Sequence, residues 1–250
     1  REDPYFKDFI TKVPTYATWN DHEYGKNNAS KDQKGKEHSW RAWRSLWANP
    51  GYGDDTMMDG IYYSFYRGDV HFIVTDDHWF RDYGTRNRLG EKQTQWIANE
   101  LISSTATFKV IVIGSDIMER GWESDLNNIG RIVTDHRVEG VLFHAGDVHR
   151  NEYKSMFYEG VWPYEVKQIT SSGIARVWRR PYVHIKVDTA DEEDPTMTAH
   201  FYGATSTAAD TTWYNDPNLE CSTIIGTDRD KEHSCTETVR LSSLQFRDGL

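Results

Sequence analysis

Phe108-Lys109-Val110-Ile111-Val112-Ile113 is a near-continuous apolar run, and Gly140-Val141-Leu142-Phe143-His144 is a second one. Such runs belong to strands covered on both faces, as in a parallel sheet packed beneath helices. Between them Glu123 to His136 reads as a helix, and Glu91 to Ser103 before them is amphipathic, with Trp96, Ile97 and Leu101 on its apolar side. Strand and helix in alternation are the signature of an α/β domain. Working upstream, Val70 to Thr75 and Ile61 to Tyr66 read as strands joined by the turn Arg67-Gly68-Asp69. Glu37 to Trp47 has helical spacing, with Trp40, Trp43, Leu46 and Trp47 in one stripe expected to enter the core, and Pro4 to Lys12 is a short helix. Val13 to Trp19 reads as a buried strand, Asn20 to Asn28 as the loop at its end, and Asp76 to Arg88 as a long polar connection. Downstream, Glu165 to Thr170, Tyr182 to Val187 and Thr196 to Tyr202 carry the β-branched and aromatic pattern of an antiparallel sheet, with a last strand at Thr238 to Leu241. The expected architecture is a layered α/β sandwich.

A mean hydropathy of −0.76 and the absence of any run near the ~18 apolar residues of a membrane helix argue against a transmembrane segment. A net charge of −10 argues against an extended nucleic-acid surface, which needs clustered Lys and Arg, and is compatible with cation binding. Cys221 and Cys235 lie in the polar segment after residue 205. A disulfide between them would suit a secreted or periplasmic protein. The chain opens on Arg1-Glu2-Asp3-Pro4, which is not a signal peptide, so either a leader has been removed or the numbering starts inside a longer protein.

Two short apolar runs end abruptly in acid and imidazole. One is Thr15 to Trp19, followed by Asn20, Asp21 and His22; the other is Val141 to Ala145, followed by Gly146, Asp147, Val148 and His149. Hard cations take carboxylate and imidazole ligands, and a histidine beside them can serve as general acid. Asp21, Asp147 and His149 are therefore candidate metal ligands, and His22 the candidate acid, with an ordinary polar turn as the competing reading of each pair. Gly146 would permit close backbone approach. His144, on the strand itself, reads as a core histidine. Asp76, Asp77, His78 and Arg81 follow a buried strand; Arg81 could clamp a phosphate or carboxylate through its planar fork, or pair with Asp82. Ser171-Ser172-Gly173 lacks the spacing of a nucleophile elbow and reads as structural.

Taken together these segments resemble the PhoD-like alkaline phosphatases and phosphodiesterases, a branch of the calcineurin-like metallophosphoesterases. Ala17 to Gly25 with Asn27-Asn28 is similar to that family's Ala-Thr-Trp-Asp-Asp-His-Asp-Tyr-Gly block. Leu89-Gly90 through Gln93, Trp96 and Ile97 is similar to its Leu-Gly-x-x-Gln-x-x-Trp-Leu helix start. Ala145 to Arg150, followed by Glu152, resembles Ser-Gly-Asp-Val-His-Arg, and Ile169 to Gly173 resembles Ile-Thr-Ser-Ser-Gly. The resemblance implies an αββα sandwich with mixed sheets, with residues 1–205 as the second part of the catalytic domain and 206–250 as a tail. It implies a metal-dependent hydrolase of phosphate mono- or diesters acting on a small phosphate ester, with iron or calcium, or zinc or manganese, at the site. By position, Asp21, Asp147 and His149 would hold metal, His22 would be catalytic, and Arg81 would be the second arginine of an Asp-x-Arg-x-x-Arg stretch.

Three positions depart from the family. His78 replaces the first arginine of that stretch, Asn20 stands where an Asp is usual, and no Ser-Cys strand or Gly-Asp-x-x-Tyr segment precedes Trp19. The expectation is that the bridging carboxylate comes from residues preceding this chain. The rival expectation is a non-catalytic ligand-binding remnant of the same fold.

Overall fold

The computed structural model describes residues 3–54, 57–118, 121–173, 182–203 and 233–246. Six strands form one sheet: β1 (Tyr63–Arg67), β2 (Val70–Val74), β3 (Phe108–Val112), β4 (Val141–Ala145), β5 (Asn151–Met156) and β6 (Val166–Ser171), in the order β1-β2-β3-β4-β6-β5. Strands β2, β3, β4 and β6 are parallel, and β1 and β5 close the two edges antiparallel. A second sheet, antiparallel throughout, contains β7 (Tyr182–Asp188), β8 (Thr196–Gly203) and β9 (His233–Arg240).

The register sorts the side chains of the large sheet onto two faces. On one, His71 meets Glu100 of helix α4 (Gly90–Ser103) at 3.2 Å, and Phe143 packs edge-on to Trp162 at 5.9 Å between ring centroids. Trp162 in turn donates to the Leu126 carbonyl of α5 (Glu123–Asp135), so this face lies beneath the two helices. On the other face, Asn151 donates from its amide to the carbonyls of Tyr182 and Tyr202, tying the large sheet to the small one. Phe108, Val110, Leu142, Met197, Phe201 and Val239 are buried in a single core that both sheets share. With both faces covered, the central strands need their continuous apolar runs. The outer face of the small sheet, with His184, Lys186, Asp188, Thr236 and Thr238, meets solvent among the described residues.

Helix α1 (Pro4–Lys12) forms over the expected residues, but several other local expectations change. Val13 to Trp19 is extended but belongs to no ladder: Ala17 is held by the side chain of Asn49, and Thr18 donates from its hydroxyl to the Thr75 carbonyl at 2.7 Å. Pro14 brings no donor, and only Trp19 of this run is fully buried. Asn20 does not open a loop but caps a four-residue helix, α2 (Asp21–Tyr24), with Glu23 returning to the Asn20 amide. Strand β5 carried no readable apolar run, and β9 starts five residues before the expected last strand, inside the segment expected as a tail. Cys221 lies outside the described residues, as does the side chain of Cys235, so the expected disulfide falls outside them. In the tryptophan stripe of α3 (Lys36–Leu46), Trp40 and Trp43 are buried as expected, whereas Leu46 is 45% exposed.

The largest change concerns Asp76 to Arg88. Rather than a solvated connection, its first half is interior: Thr75, Asp76, Asp77, His78, Trp79 and Arg81 are all buried. Buried polar groups persist only when hydrogen-bonded, and Asp76 is hydrogen-bonded four times. Its Oδ1 accepts from the Trp19 indole (2.9 Å) and from the amides of His78 (3.0 Å) and Trp79 (2.9 Å), while Oδ2 accepts from the Ile61 amide (3.1 Å). Its own amide donates to Gln93 Oε1, and its carbonyl accepts from Gln93 Nε2. In Asp76→Asn, an amide nitrogen in the Oδ2 position faces the Ile61 N–H and leaves both unsatisfied. The expected loss is about 1–3 kcal/mol, read from the urea midpoint at constant slope.

Candidate functional site

Segments following the strands converge at the carboxyl edge of the parallel strands, where ligand sites of α/β sheets form. Two glycines permit the approach. A Cβ on Gly114, just after β3, would lie 2.5 Å from the Trp19 carbonyl oxygen and 2.8 Å from Asp77 Oδ1. A Cβ on Gly146, after β4, would lie 2.7 Å from the Gly114 carbonyl oxygen, so the close approach expected there is present. Asn20 donates from Nδ2 to that same Gly114 carbonyl at 2.6 Å, and the His149 amide donates to Ser172 Oγ, after β6, at 2.7 Å. Five segments are thereby stitched edge to edge.

Asp21 is the first residue of α2 and is buried; its Oδ2 accepts from the Asn28 amide at 2.8 Å. His22 stands beside it with 70% of its side chain exposed, Nε2 being 3.9 Å from Asp21 Oδ1. Asp147 is half-buried and His149 exposed, and both hold left-handed backbone, with φ of 74° and 56°. Non-glycine residues rarely adopt that region, and where they do the surrounding structure enforces it. Burial pushes the Asp147 carboxyl above its ordinary range. The negative charges of Asp21 and Asp77 push it further, with His149 and His78 pulling the other way. Asp21 and Asp147, remote in sequence, therefore share one field.

Sequence reading did not single out Asp77 as a ligand. It is fully buried, accepts from the Ser115 hydroxyl at Oδ2, and has no hydrogen-bond partner for Oδ1 among the described residues. His78, in place of an arginine, is turned inward: Nδ1 faces the Ala29 carbonyl at 2.9 Å and Nε2 faces Asn20 Oδ1 at 3.2 Å. It positions Asn20, and through that cap Asp21, instead of offering a donor to a ligand. Arg81 is buried with its guanidinium 4.8 Å from the centre of the Tyr83 ring. The expected competitor for it, Asp82, is paired with Lys31 instead, and no ion pair involves Arg81 among the described residues. Arg88, which sequence reading also passed over, is buried over the Trp122 ring at 4.6 Å. His144 keeps its Nε2 sealed and without a hydrogen-bond partner among the described residues, and burial lowers its pKa to about 4, so it is a neutral core histidine.

Carboxylate oxygens with an imidazole suit a hard cation, and an orphaned buried carboxylate oxygen amid two further carboxylates is the environment a cation relieves. In chemistry the residues therefore fit a metal. Among the described residues, however, no three acid, imidazole or thiol side chains are arranged to hold one as they stand.

Ten chains of solved structures match this one. One of them, described as "Structure of PhoD", superposes with a TM-score of 0.54 at 16% sequence identity, covering 75% of this chain and 48% of the other. The fold is PhoD-like. This chain spans about half the length of that structure. No family model and no curated protein matches the sequence. No helix among the described residues is long and apolar enough to cross a membrane.

A carboxyl whose pKa is raised on folding contributes stability below its unfolded value, and loses it as pH rises through the folded one. Asp147 is such a group, so at pH 7 its charge works against the fold. Asp147→Asn should be more stable than wild type at pH 7 by up to about 1 kcal/mol, solvent screening limiting the gain at this half-buried position. The gain should shrink as pH falls through the raised folded-state range and the wild-type carboxyl takes up its proton; thermal melts from pH 7 downward measure it.

Proposed function

We propose that this chain carries the site of a metal-dependent hydrolase of phosphate mono- or diesters. The crowding of Asp21, Asp77 and Asp147 at the carboxyl edge of a PhoD-like sheet, with Asp77 Oδ1 unpartnered, carries this reading. Asp21, Asp147 and His149 would hold the cation, with Asp77 added to the set. Iron or calcium suits these donors, as do zinc and manganese. A bound cation supplies a nucleophile by lowering the pKa of water.

The remaining roles belong to the chain itself. Arg81, buried with its guanidinium over the Tyr83 ring, would present its planar fork to the equatorial phosphoryl oxygens. Its charge acts with little solvent between it and the phosphate, where such stabilisation is most effective. His22, exposed beside Asp21, reaches the leaving oxygen and gives it a proton. His78 and Asn20 maintain the geometry from behind. A small phosphate ester in a secreted or periplasmic setting is the corresponding substrate and location.

The absence of a closed trio of donors among the described residues favours a second reading, a ligand-binding remnant without catalysis. Metal content separates the two. A hydrolase retains tightly bound ions by elemental analysis and cleaves a nitrophenyl phosphate or its bis-nitrophenyl diester, whereas a remnant does neither. In the active protein, His22→Ala should lower turnover by ~10²–10⁴ with the melting temperature unchanged, because this side chain is largely in solvent. Turnover near that of wild type would remove His22 from the mechanism.

A further inference from the structure

On the outer face of the small sheet, one row of side chains pairs two imidazoles. His184 of β7 is directly opposed to His200 of β8, and His200 is directly opposed to Thr236 of β9. The rows on either side hold the Tyr182–Tyr202 pair, stacked at 5.0 Å, and the Lys186–Thr198 pair. Opposed residues of antiparallel strands carry their Cβ atoms roughly 5 Å apart on the same side. The two imidazole centres lie 6.0 Å apart, with their planes inclined by 31°. His184 is exposed and His200 half-buried. Among the described residues, the one hydrogen bond to either ring joins His200 Nδ1 and the Thr236 hydroxyl at 3.1 Å. Both nitrogens of His184 and the Nε2 of His200 are left uncommitted among those residues.

We infer that His184 and His200 form a two-imidazole chelate for a transition-metal cation of the zinc, nickel or copper class, with water in the remaining positions. Imidazole nitrogen suits these ions, whereas calcium and magnesium take oxygen. Zinc lies about 2.0–2.1 Å from an imidazole nitrogen, so two rings on one tetrahedral ion have centres roughly 5 Å apart. The observed spacing is wider by about 1 Å, which small turns of two side chains on a solvent-facing surface close. Thr236 supplies the outer contact. A ligating histidine commonly donates its second ring N–H to an oxygen, which orients the ring and fixes its tautomer. When Nδ1–H donates to Thr236 Oγ1, the lone pair of His200 sits on Nε2, the nitrogen left for the cation. Lys186, in the next row, carries its charge on a flexible stem that can turn away into solvent. The net charge of −10 draws cations toward the chain as a whole. With two protein donors instead of a closed trio, the ion exchanges readily. The chelate uses none of Asp21, Asp77, Asp147 or His149 and does not rest on the hydrolase reading.

Zinc titration of the full chain, followed by NMR of the imidazole nitrogens, tests the chelate. His184→Gln and His200→Gln assign the two sets of ring signals. In wild type both sets should shift together and saturate at one shared cation, with Nε2 as the metallated atom of His200. In either single variant the remaining ring should bind zinc at least about tenfold more weakly, because the second contact of a chelate is intramolecular and a lone ring has none. Thr236→Val should weaken zinc binding by about tenfold with the melting temperature unchanged. Calcium at the same concentrations should move neither ring. Rings that respond to zinc separately and with different affinities overturn the chelate, as does a remaining ring that keeps wild-type affinity in the single variants. Absence of any zinc response at both rings overturns it equally.

Discussion

A buried carboxylate organises this molecule. Asp76 is removed from water at the end of β2, a position costly to occupy unless every lone pair is used. It gathers donors from Trp19 and Ile61, on separate stretches of chain, and from His78 and Trp79 just after it. Gln93, at the start of α4, closes the arrangement by bonding both the amide and the carbonyl of Asp76. The indole so held is the centre of a second core in which Trp19 contacts Tyr24, Trp43 and Trp79. Without this anchor the extended segment before Trp19, which has no ladder of its own, would have little to align it with the sheet.

That alignment determines the site. Trp19 fixes where Asn20 begins its helical cap, Asn20 reaches Gly114, and Gly114 in turn abuts Gly146. Asp21, Asp77 and Asp147 are thus brought into one field, although their like charges resist it. Such a cluster costs stability, because burial and like charges both oppose ionisation of Asp147. Two imidazoles partly offset the repulsion at Asp147: His149 from the surface and His78 from within.

Much of this was legible before any coordinates. The apolar runs of β3 and β4 and the helices between and before them read directly as α/β, because burial on both faces leaves no room for alternation. Asp21, Asp147 and His149 were visible because each follows an apolar run that stops abruptly, and Gly146 because glycine beside such a stop marks close approach. Asp77, Ser115 and Arg88 were not singled out. Asp77 and Ser115 also follow apolar runs, but among several polar residues in a row the sequence does not say which one folds inward against partners distant along the chain. Strand β5 was missed for a related reason: Glu152 and Lys154 face each other in a charged network with Asp116 and Arg150, so its strand carries no apolar signature.

The amino-acid order alone determined the class of fold and the kinds of donor at the sheet edge, since both depend on local periodicity and on residue type. Only the tertiary structure decided which carboxylate is a structural anchor and which is left with an open oxygen. Asp76 and Asp77 are adjacent and identical in chemistry, yet opposite in circumstance. The difference lies in the donors that arrive from Trp19, Ile61 and Ser115, and contacts made across dozens of residues depend on packing that no local pattern encodes.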